Sequence, residues 1–274
     1  MLRLNLILNN LSHSIPNIVR SNTIKDAVYL KEKFDYIVSN PPFKLDFSDF
    51  RSDLEKDSFK ERFFAGIPNI PKKKKESMAI YLLFIQHIMY SLNDNGKAAV
   101  VVPTGFITAP SGIEKRIRQQ LIEHGWLRGV VSMPSNIFSN TGTNVSVLFI
   151  DKKADNKHIV LVDASKMGET ISDNNKQCTV LRYEEEQQIV GAMNQLRALD
   201  NISVIVTSET IQGKNYSFSA GQYFEVKIKY SDITNKQFDQ KISDFNKNLD
   251  ILFRNSRTLE AKIKENLRDL KYDI

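Results

Sequence analysis

Phe34-Asp35-Tyr36-Ile37-Val38 followed by Ser39-Asn40-Pro41-Pro42-Phe43 decides how the rest of the chain is read. Aromatic and β-branched residues over Phe34–Val38 predict a strand. Asn40-Pro41-Pro42 ends it, because proline donates no ladder hydrogen bond. Downstream, Tyr81, Phe84, Ile85, Ile88, Met89 and Leu92 recur at helical spacing and predict a helix over 77–92, closed by Asn95-Gly96. Lys97–Val102 is a continuous apolar strand of the kind buried on both faces, broken by Pro103 and Gly105. Ile113–Glu123 is an amphipathic helix closed by Gly125. Leu127–Ser132 and Val145–Asp151 are further strands, the latter followed by His158–Asp163. Upstream, Leu2 to about Asn10 reads as the end of a helix, and Ile18-Val19 as a short strand. Residues 18–132 thus alternate strand and helix. The expected fold class is α/β, with a mostly parallel sheet and helices on both faces. In such sheets working residues sit at the carboxyl ends of strands, here loops 39–43, 103–112 and 133–144.

The composition narrows the function classes. With 274 residues, 41% hydrophobic and 26% charged, the chain can bury a core of one large domain or two modest ones. The net charge of +6 is compatible with a polyanionic partner. Cys178 is the single cysteine, so an internal disulfide and a cysteine-rich zinc site are excluded. The four histidines are scattered without an H-x-x-x-H pair, and no metal site is predicted. The longest apolar run, Met78 to Ile85, falls far short of the ~20 residues a membrane span needs. The N-terminus lacks a small-x-small cleavage site. A reducing, cytoplasmic compartment is the expectation.

After about residue 156 the pattern changes. Tyr183–Leu199 predicts a helix and Ser203–Val206 a strand. Phe238, Ile242, Phe245, Leu249, Leu252, Leu259, Ile263 and Leu270 then step by threes and fours, with polar Ser256 in one register position. This is a long helix with a coiled-coil-like seam, ~50 Å at ~1.5 Å per residue. Two placements fit it, against this chain's own core or in a bundle with another subunit. The expected division is a catalytic core over 1–155, an extension over 156–230 and an assembly helix over 231–274.

The strand-end motif carries the chemistry. A polar acceptor, two prolines and an aromatic arise by chance in a chain this long at a rate on the order of 1%. The exocyclic amine of adenine is a weak nucleophile because its lone pair is delocalised into the ring. Acceptors on both of its N–H bonds draw the nitrogen toward tetrahedral geometry and localise that pair. The Asn40 side-chain oxygen offers one acceptor and the Pro41 carbonyl the other. Pro41 and Pro42 stiffen the loop, so both acceptors are set in advance. A base flipped from its duplex would stack on Phe43. The competing reading is an Asn-Pro-Pro turn with a buried Phe.

With these residues in view, the chain resembles the modification (methylation) subunit of type I restriction-modification systems, adenine-N6 DNA methyltransferases. Leu83-Phe84-Ile85-Gln86-His87, Gly96 to Gly105, Glu114–Ile122, Met133-Pro134-Ser135-Asn136-Ile137-Phe138, Thr141-Gly142, Val162-Asp163-Ala164-Ser165 and Tyr216 to Tyr223 resemble successive family segments in the right order. The resemblance implies S-adenosylmethionine as methyl donor, double-stranded DNA as substrate, and specificity and restriction subunits as partners. The long seam would pack on the specificity subunit.

The departure is at the front. The family carries a Gly-rich cofactor loop after its first strand, and a carboxylate after the second strand for the cofactor ribose. Here all eleven glycines lie at or beyond Gly66 and no G-x-G occurs. The family's order places that loop before Met1, so the chain is expected to be the C-terminal part of a methyltransferase that binds S-adenosylmethionine poorly by itself. Asn22-Thr23 falls where the family has Asp-Thr beside the cofactor adenine, which makes Asn22 a cofactor-binding candidate without the charge. Two rival functions remain at this stage: a remnant or assembly piece without catalysis, and a methyltransferase acting on a protein glutamine amide.

Other residues carry weaker signals. Phe138 sits on a loop that can face the flipped base or simply pack. Lys72–Lys75 suits either a solvated loop or DNA phosphates. His87 and Trp126 read as core residues, and Arg116 and Arg118 as surface helix residues. The 46–57 segment reads as a mobile loop beside the site.

Overall fold

The computed structural model describes residues 2–138, 143–154, 157–173, 176–224 and 234–269. They divide into two units, Met1–Phe224 and Glu225–Ile274. In the first unit the elements run α1 (Leu2–Leu8), β1 (Phe34–Ser39), α2 (Asp57–Lys60), α3 (Tyr81–Ser91), β2 (Leu92–Pro103), α4 (Gly105–Thr108) and α5 (Gly112–Glu123). They continue with β3 (Leu127–Ser132), β4 (Val145–Asp151), β5 (Ile159–Asp163), β6 (Glu169–Asp173), β7 (Lys176–Val180), α6 (Tyr183–Gln195), β8 (Ser203–Val206) and α7 (Ser208–Gly213).

Six strands form one sheet in the order β1-β2-β4-β3-β5-β8. β1 pairs parallel with β2, and β3 with β5, while β4 runs antiparallel to both of its neighbours and β8 antiparallel to β5. Four strands therefore share one direction, and β4 and β8 oppose them. β6 and β7 form a separate hairpin.

The alternation of strand side chains sorts the two faces. Ala98, Val100, Val102, Val130, Leu148, Ile150 and Leu161 point into the main core with Leu82, Ile85 and Met89 of α3 and Ile117 and Leu121 of α5. Val131, Val160 and Val162 point the other way, against Ala192 and Met193 of α6. Gly129 makes that second layer possible. A Cβ there would lie 2.3 Å from the Val160 carbonyl oxygen and 3.0 Å from Met193 Cε. A third cluster of Ile24, Phe47, Leu54, Phe63, Met78, Ile80 and Leu83 gathers the segment between β1 and α3 into ordered structure.

Several expectations need correction. Ile18-Val19 forms no strand, because two β-branched residues with no neighbouring strand have nothing to pair with. β2 begins at Leu92 instead of Lys97, so Asn95-Gly96 lies within the strand and not after the helix. The helix predicted over 183–199 stops at Gln195, where Leu196 turns left-handed at φ 54°. Arg118 is fully buried and not a surface residue. The β6–β7 hairpin and α7 had no sequence expectation.

The second unit is α8 (Asn235–Asp269), a single 35-residue helix. Phe238, Ile242, Phe245, Leu249, Leu252, Leu259 and Ile263 of its seam are exposed. Leu270, the last seam position, lies outside the described residues. No helix among the described residues is long and apolar enough to cross a membrane.

Candidate active site

β1, β2 and β3 point the same way, so their carboxyl ends bring the 39–43, 103–112 and 133–138 loops to one end of the sheet. At the end of β1, Asn40 is exposed, Pro41 buried, Pro42 exposed and Phe43 half-buried. Neither the Asn40 side chain nor the Pro41 carbonyl has a hydrogen-bond partner among the described residues. Two acceptors at a stiff corner are thus left without an internal donor.

The Phe43 ring is held from behind. It meets Tyr81 edge-on at 6.3 Å between centroids and 75° between planes. Tyr81 in turn meets Phe106 edge-on at 6.3 Å and 84°. Phe106 belongs to α4, in the loop after β2, so a run of three rings ties the β1 corner to the β2 loop. Burial, followed by the nearby Glu114 charge, pushes the Tyr81 phenol well above its ordinary range and keeps it neutral.

The β2 loop is itself anchored by Arg118. Its Nε donates to the Tyr216 carbonyl at 2.7 Å, and Nη1 and Nη2 donate to the carbonyls of Phe106 and Ala109. Burial lowers its pKa from 12.5 to about 10, which leaves it charged at neutral pH. The Tyr216–Tyr223 segment completes this clamp, with the Phe218 amide donating to the Ile107 carbonyl and the Tyr223 hydroxyl to the Ser217 carbonyl. Gln86 fixes the other side of the corner's support. Its Oε1 accepts from the Ala65 amide at 2.8 Å and its Nε2 donates to the Gly66 carbonyl at 3.0 Å.

Asn22 and Pro42 line the same cavity of about 510 Å³, together with Ile24, Leu45, Phe50 and Phe84. The Asn22 Oδ1 accepts from the Ile24 and Lys25 amides, both at 3.1 Å. Both lone pairs of that oxygen are used, so the group Asn22 presents outward is its NH2 donor. The turn is held by Arg62, which is buried and donates Nη2 to the Ile24 carbonyl while stacking on Phe59 and Phe63.

These residues fit one end of S-adenosylmethionine only. Apolar side chains and an amide donor suit an adenine ring. No carboxylate lines the cavity for ribose hydroxyls, and no glycine occurs before Gly66 to let the backbone approach the methionine tail.

Phe138 is on the loop after β3, 39% exposed, and makes no ring contact with the corner among the described residues. Thr141 and Gly142 lie outside them. Lys72–Lys75 are exposed, and of them Lys75 lies near enough for its charge to act on Asp46, three residues after Phe43. The 46–57 segment gathers around buried Phe47 and Leu54. Tyr81, Gln86 and Arg118 were not read as site residues from sequence. A lone glutamine and a lone arginine on otherwise apolar helix faces were the available signals.

The chain thus places an Asn-Pro-Pro-Phe corner at the carboxyl end of an edge strand of an α/β sheet. Residues 1–232 match the N-6 DNA methylase family, and the chain belongs to it. It is 28% identical over 282 residues to the type I restriction enzyme MpnII methylase subunit of Mycoplasma pneumoniae, covering 99% of this chain and 48% of that one. It is 25% identical to the HindI methylase subunit of Haemophilus influenzae, covering 89% and 53%. The crystal structure of a type I restriction-modification methyltransferase subunit from Streptococcus thermophilus superposes with a TM-score of 0.63 at 25% identity, covering 81% of this chain and 45% of that one. The chain spans about half the length of the curated relatives it matches.

Proposed function

We propose that this chain carries the base-binding half of a site that methylates the N6 amine of adenine in double-stranded DNA, within a type I restriction-modification assembly. The observation that supports it most is the unpartnered pair of acceptors at Asn40 and Pro41 beside the half-buried ring of Phe43, which Tyr81 props from behind. The flipped adenine stacks on Phe43. Its amine donates one hydrogen to Asn40 Oδ1 and one to the Pro41 carbonyl, and the lone pair turns out of the ring plane. S-adenosylmethionine, when bound, would supply a methyl group whose bond to the sulfonium sulfur breaks as the nitrogen takes it, the electron pair staying on sulfur. Once nitrogen carries its new bond, one amine proton is lost to water, since a neutral amide oxygen does not retain it. Asn22, whose NH2 is the donor left free, would help hold the cofactor's adenine, and Phe138 would pack on the target base from the β3 loop. The specificity and restriction subunits are the proposed partners, with the seam of α8 as the surface for the specificity subunit.

The lining around Asn22 favours a chain that does not hold the cofactor unaided. The test pairs this chain with the remaining portion of a relative and measures methyl transfer to adenine in duplex DNA. Asn40→Ala is expected to lower the rate by roughly a hundredfold or more, the scale for removing one placed polar group from a site. Undiminished transfer by that variant sinks the assignment. Methylation of a glutamine-bearing peptide and not of DNA would move the activity to protein.

A further inference from the structure

The loop after β3 and the β6–β7 hairpin leave the sheet at the same end. β3 and β5 run parallel, so the 133–138 loop starts where β3 ends and the 164–168 segment starts where β5 ends, at the end that carries the Asn40–Phe43 corner. The stem of the β3 loop is held by the sheet. The Met133 amide donates to the Val145 carbonyl at 3.0 Å, the Ala164 amide donates to the Ser132 carbonyl at 2.9 Å, and Pro134 is buried. Beyond Pro134 that support ends. Among the described residues, the 135–138 stretch makes one backbone hydrogen bond to the rest of the unit, in which the Thr179 amide donates to the Asn136 carbonyl at 3.0 Å. Asn136 is left-handed at φ 56°, a conformation that asparagine tolerates better than most residues.

The hairpin is arranged around that bond. A two-stranded hairpin is marginal by itself, and this one exposes Glu169, Thr170, Ile171, Ser172, Gln177 and Val180. Thr179 differs, at 7% exposed. Its amide is spent on Asn136 and so lies on the edge of β7 that faces away from β6. Gly168 fits closely against it, since a Cβ there would lie 2.7 Å from Thr179 Cγ2 and 3.0 Å from the Val180 carbonyl oxygen. One carboxylate moors the base of the hairpin to the start of α6. Glu185 Oε1 accepts from the Gly168 amide at 2.9 Å and Oε2 from the Arg182 amide at 2.8 Å, while Arg182 pairs with Glu169 at 3.1 Å. An exposed hairpin fixed at its base, with an outward amide spent on one loop carbonyl, has the form of a brace for that loop.

We propose that the β6–β7 hairpin positions the β3 loop for the target base, with Thr179 as the positioning residue: its amide sets Asn136, and the backbone from Asn136 sets Phe138. The part given to Phe138 rests on the function proposed above, whereas the brace itself rests on the hydrogen bond and its mooring. Phe138 is 39% exposed, so packing does little to fix it and its direction depends on the backbone that carries it. A displacement of about 1 Å in such a group costs on the order of a hundredfold in rate.

The first arm of the test uses the 274-residue chain by itself. Thr179→Pro removes the amide at an edge position where proline breaks no ladder bond. Backbone order parameters of Asn136 and Ile137, from amide nitrogen relaxation, are expected near about 0.85 in the parent and below about 0.6 in the variant, with Gly129, Val130 and Val131 unchanged. Thr179→Val keeps the amide and the branched shape and should match the parent. Glu185→Ala loosens the mooring at a partly exposed position and should lower the same two order parameters, so it decides if Thr179→Pro does not fold. The second arm uses the complex of this chain with the remaining portion of a relative. There Thr179→Pro is expected to lower methyl transfer at saturating DNA by at least roughly tenfold, with DNA affinity within about twofold of the parent. Adding Thr179→Pro to Phe138→Ala should cost nothing further, because both act through one ring. Equal loop order in the parent, Thr179→Pro and Glu185→Ala overturns the brace. A loosened loop with unchanged transfer, or full additivity with Phe138→Ala, overturns its positioning role, while Asn40→Ala reports separately on the site. A parent complex that transfers no methyl group sinks the proposed function and Phe138's part in it, and the order parameters then decide the brace by themselves.

Discussion

The ring of Tyr81 stands edge-on behind the ring of Phe43, and this contact joins the first turn of α3 to the corner after β1. The geometry matters because a stacking platform has to be fixed before a base arrives. An edge-to-face pair is worth about 0.5–1.5 kcal/mol beyond the area it buries. Tyr81→Leu keeps an apolar side chain and removes that contact. It is expected to reduce the occupancy of a flipped base by roughly two- to tenfold, since about 1.4 kcal/mol is a factor of ten. Fluorescence of 2-aminopurine at the target position of the complemented complex reads this directly. Tyr81→Phe retains the ring and should match the parent, and equal fluorescence from all three proteins would show that Tyr81 does not hold the platform.

Arg118 gathers three carbonyls from two distant loops, and among the described residues no carboxylate pairs with it directly, the Glu114 charge acting only at longer range. Arg118→Met fills similar volume but leaves those carbonyls unpaired in the interior. Each unpaired carbonyl costs about 1–3 kcal/mol, so the expected loss is at least about 3 kcal/mol, which for a unit of this size lowers the melting temperature by roughly 10 °C. Arg118→Lys keeps the charge without the fork and should fall between. A thermal melt of Arg118→Met within ~2 °C of the parent would mean that the β2 loop is held by other contacts.

How much of this could be read beforehand follows the range of the interactions. β1, β3, β4, α3, α5 and α8 announce themselves through periodicity, and the Asn40–Phe43 corner through four adjacent residues. Arg118 could not be read that way, because it bonds Tyr216 across 98 residues. The β6–β7 hairpin escaped for another reason. Glu169–Asp173 and Lys176–Val180 carry mostly polar residues, with Ile171 and Val180 largely exposed, so no buried face imposes an alternation. The reversal of β4 between two strands of opposite direction is set by pairing, and pairing leaves no mark in local composition.

His87 gives the fold a predictable acid dependence. Burial, and then the charges of Arg62 and Lys33, push its pKa from 6.5 down to about 4. In the unfolded chain the imidazole takes its proton near 6.5, whereas in the folded chain it stays neutral until about 4. Between those values the unfolded state binds more protons, so stability falls as pH falls. The contribution is full above about 6.5 and is lost by about 4, on the order of 2–3 kcal/mol. His87→Gln removes the titrating group, and denaturant midpoints measured from pH 7 to pH 4 should flatten by that amount. A variant with the parent's full pH slope would place the dependence in other groups.

Lys72–Lys75 are exposed, and Lys75 lies close enough to Asp46 to act on its charge. Of the four, Lys75 interacts with the Asp46 carboxylate, which lowers that acid's pKa alongside the hydrogen bonds from Ser48. Lys72, Lys73 and Lys74 have no such acidic neighbour among the described residues. If they meet phosphates flanking the flipped base, each contact releases about 0.9 of a counterion. Changing all three to alanine should then reduce the slope of log K against log salt by up to about 2.7 in the complemented complex. The weakening should be the same on target and non-target duplexes, because phosphate contacts carry no sequence information. Fluorescence anisotropy over a range of salt concentrations measures both slopes. A slope that does not change means the run is a solvated loop, and DNA would then have to approach the Asn40–Phe43 corner from the side of the 133–138 loop.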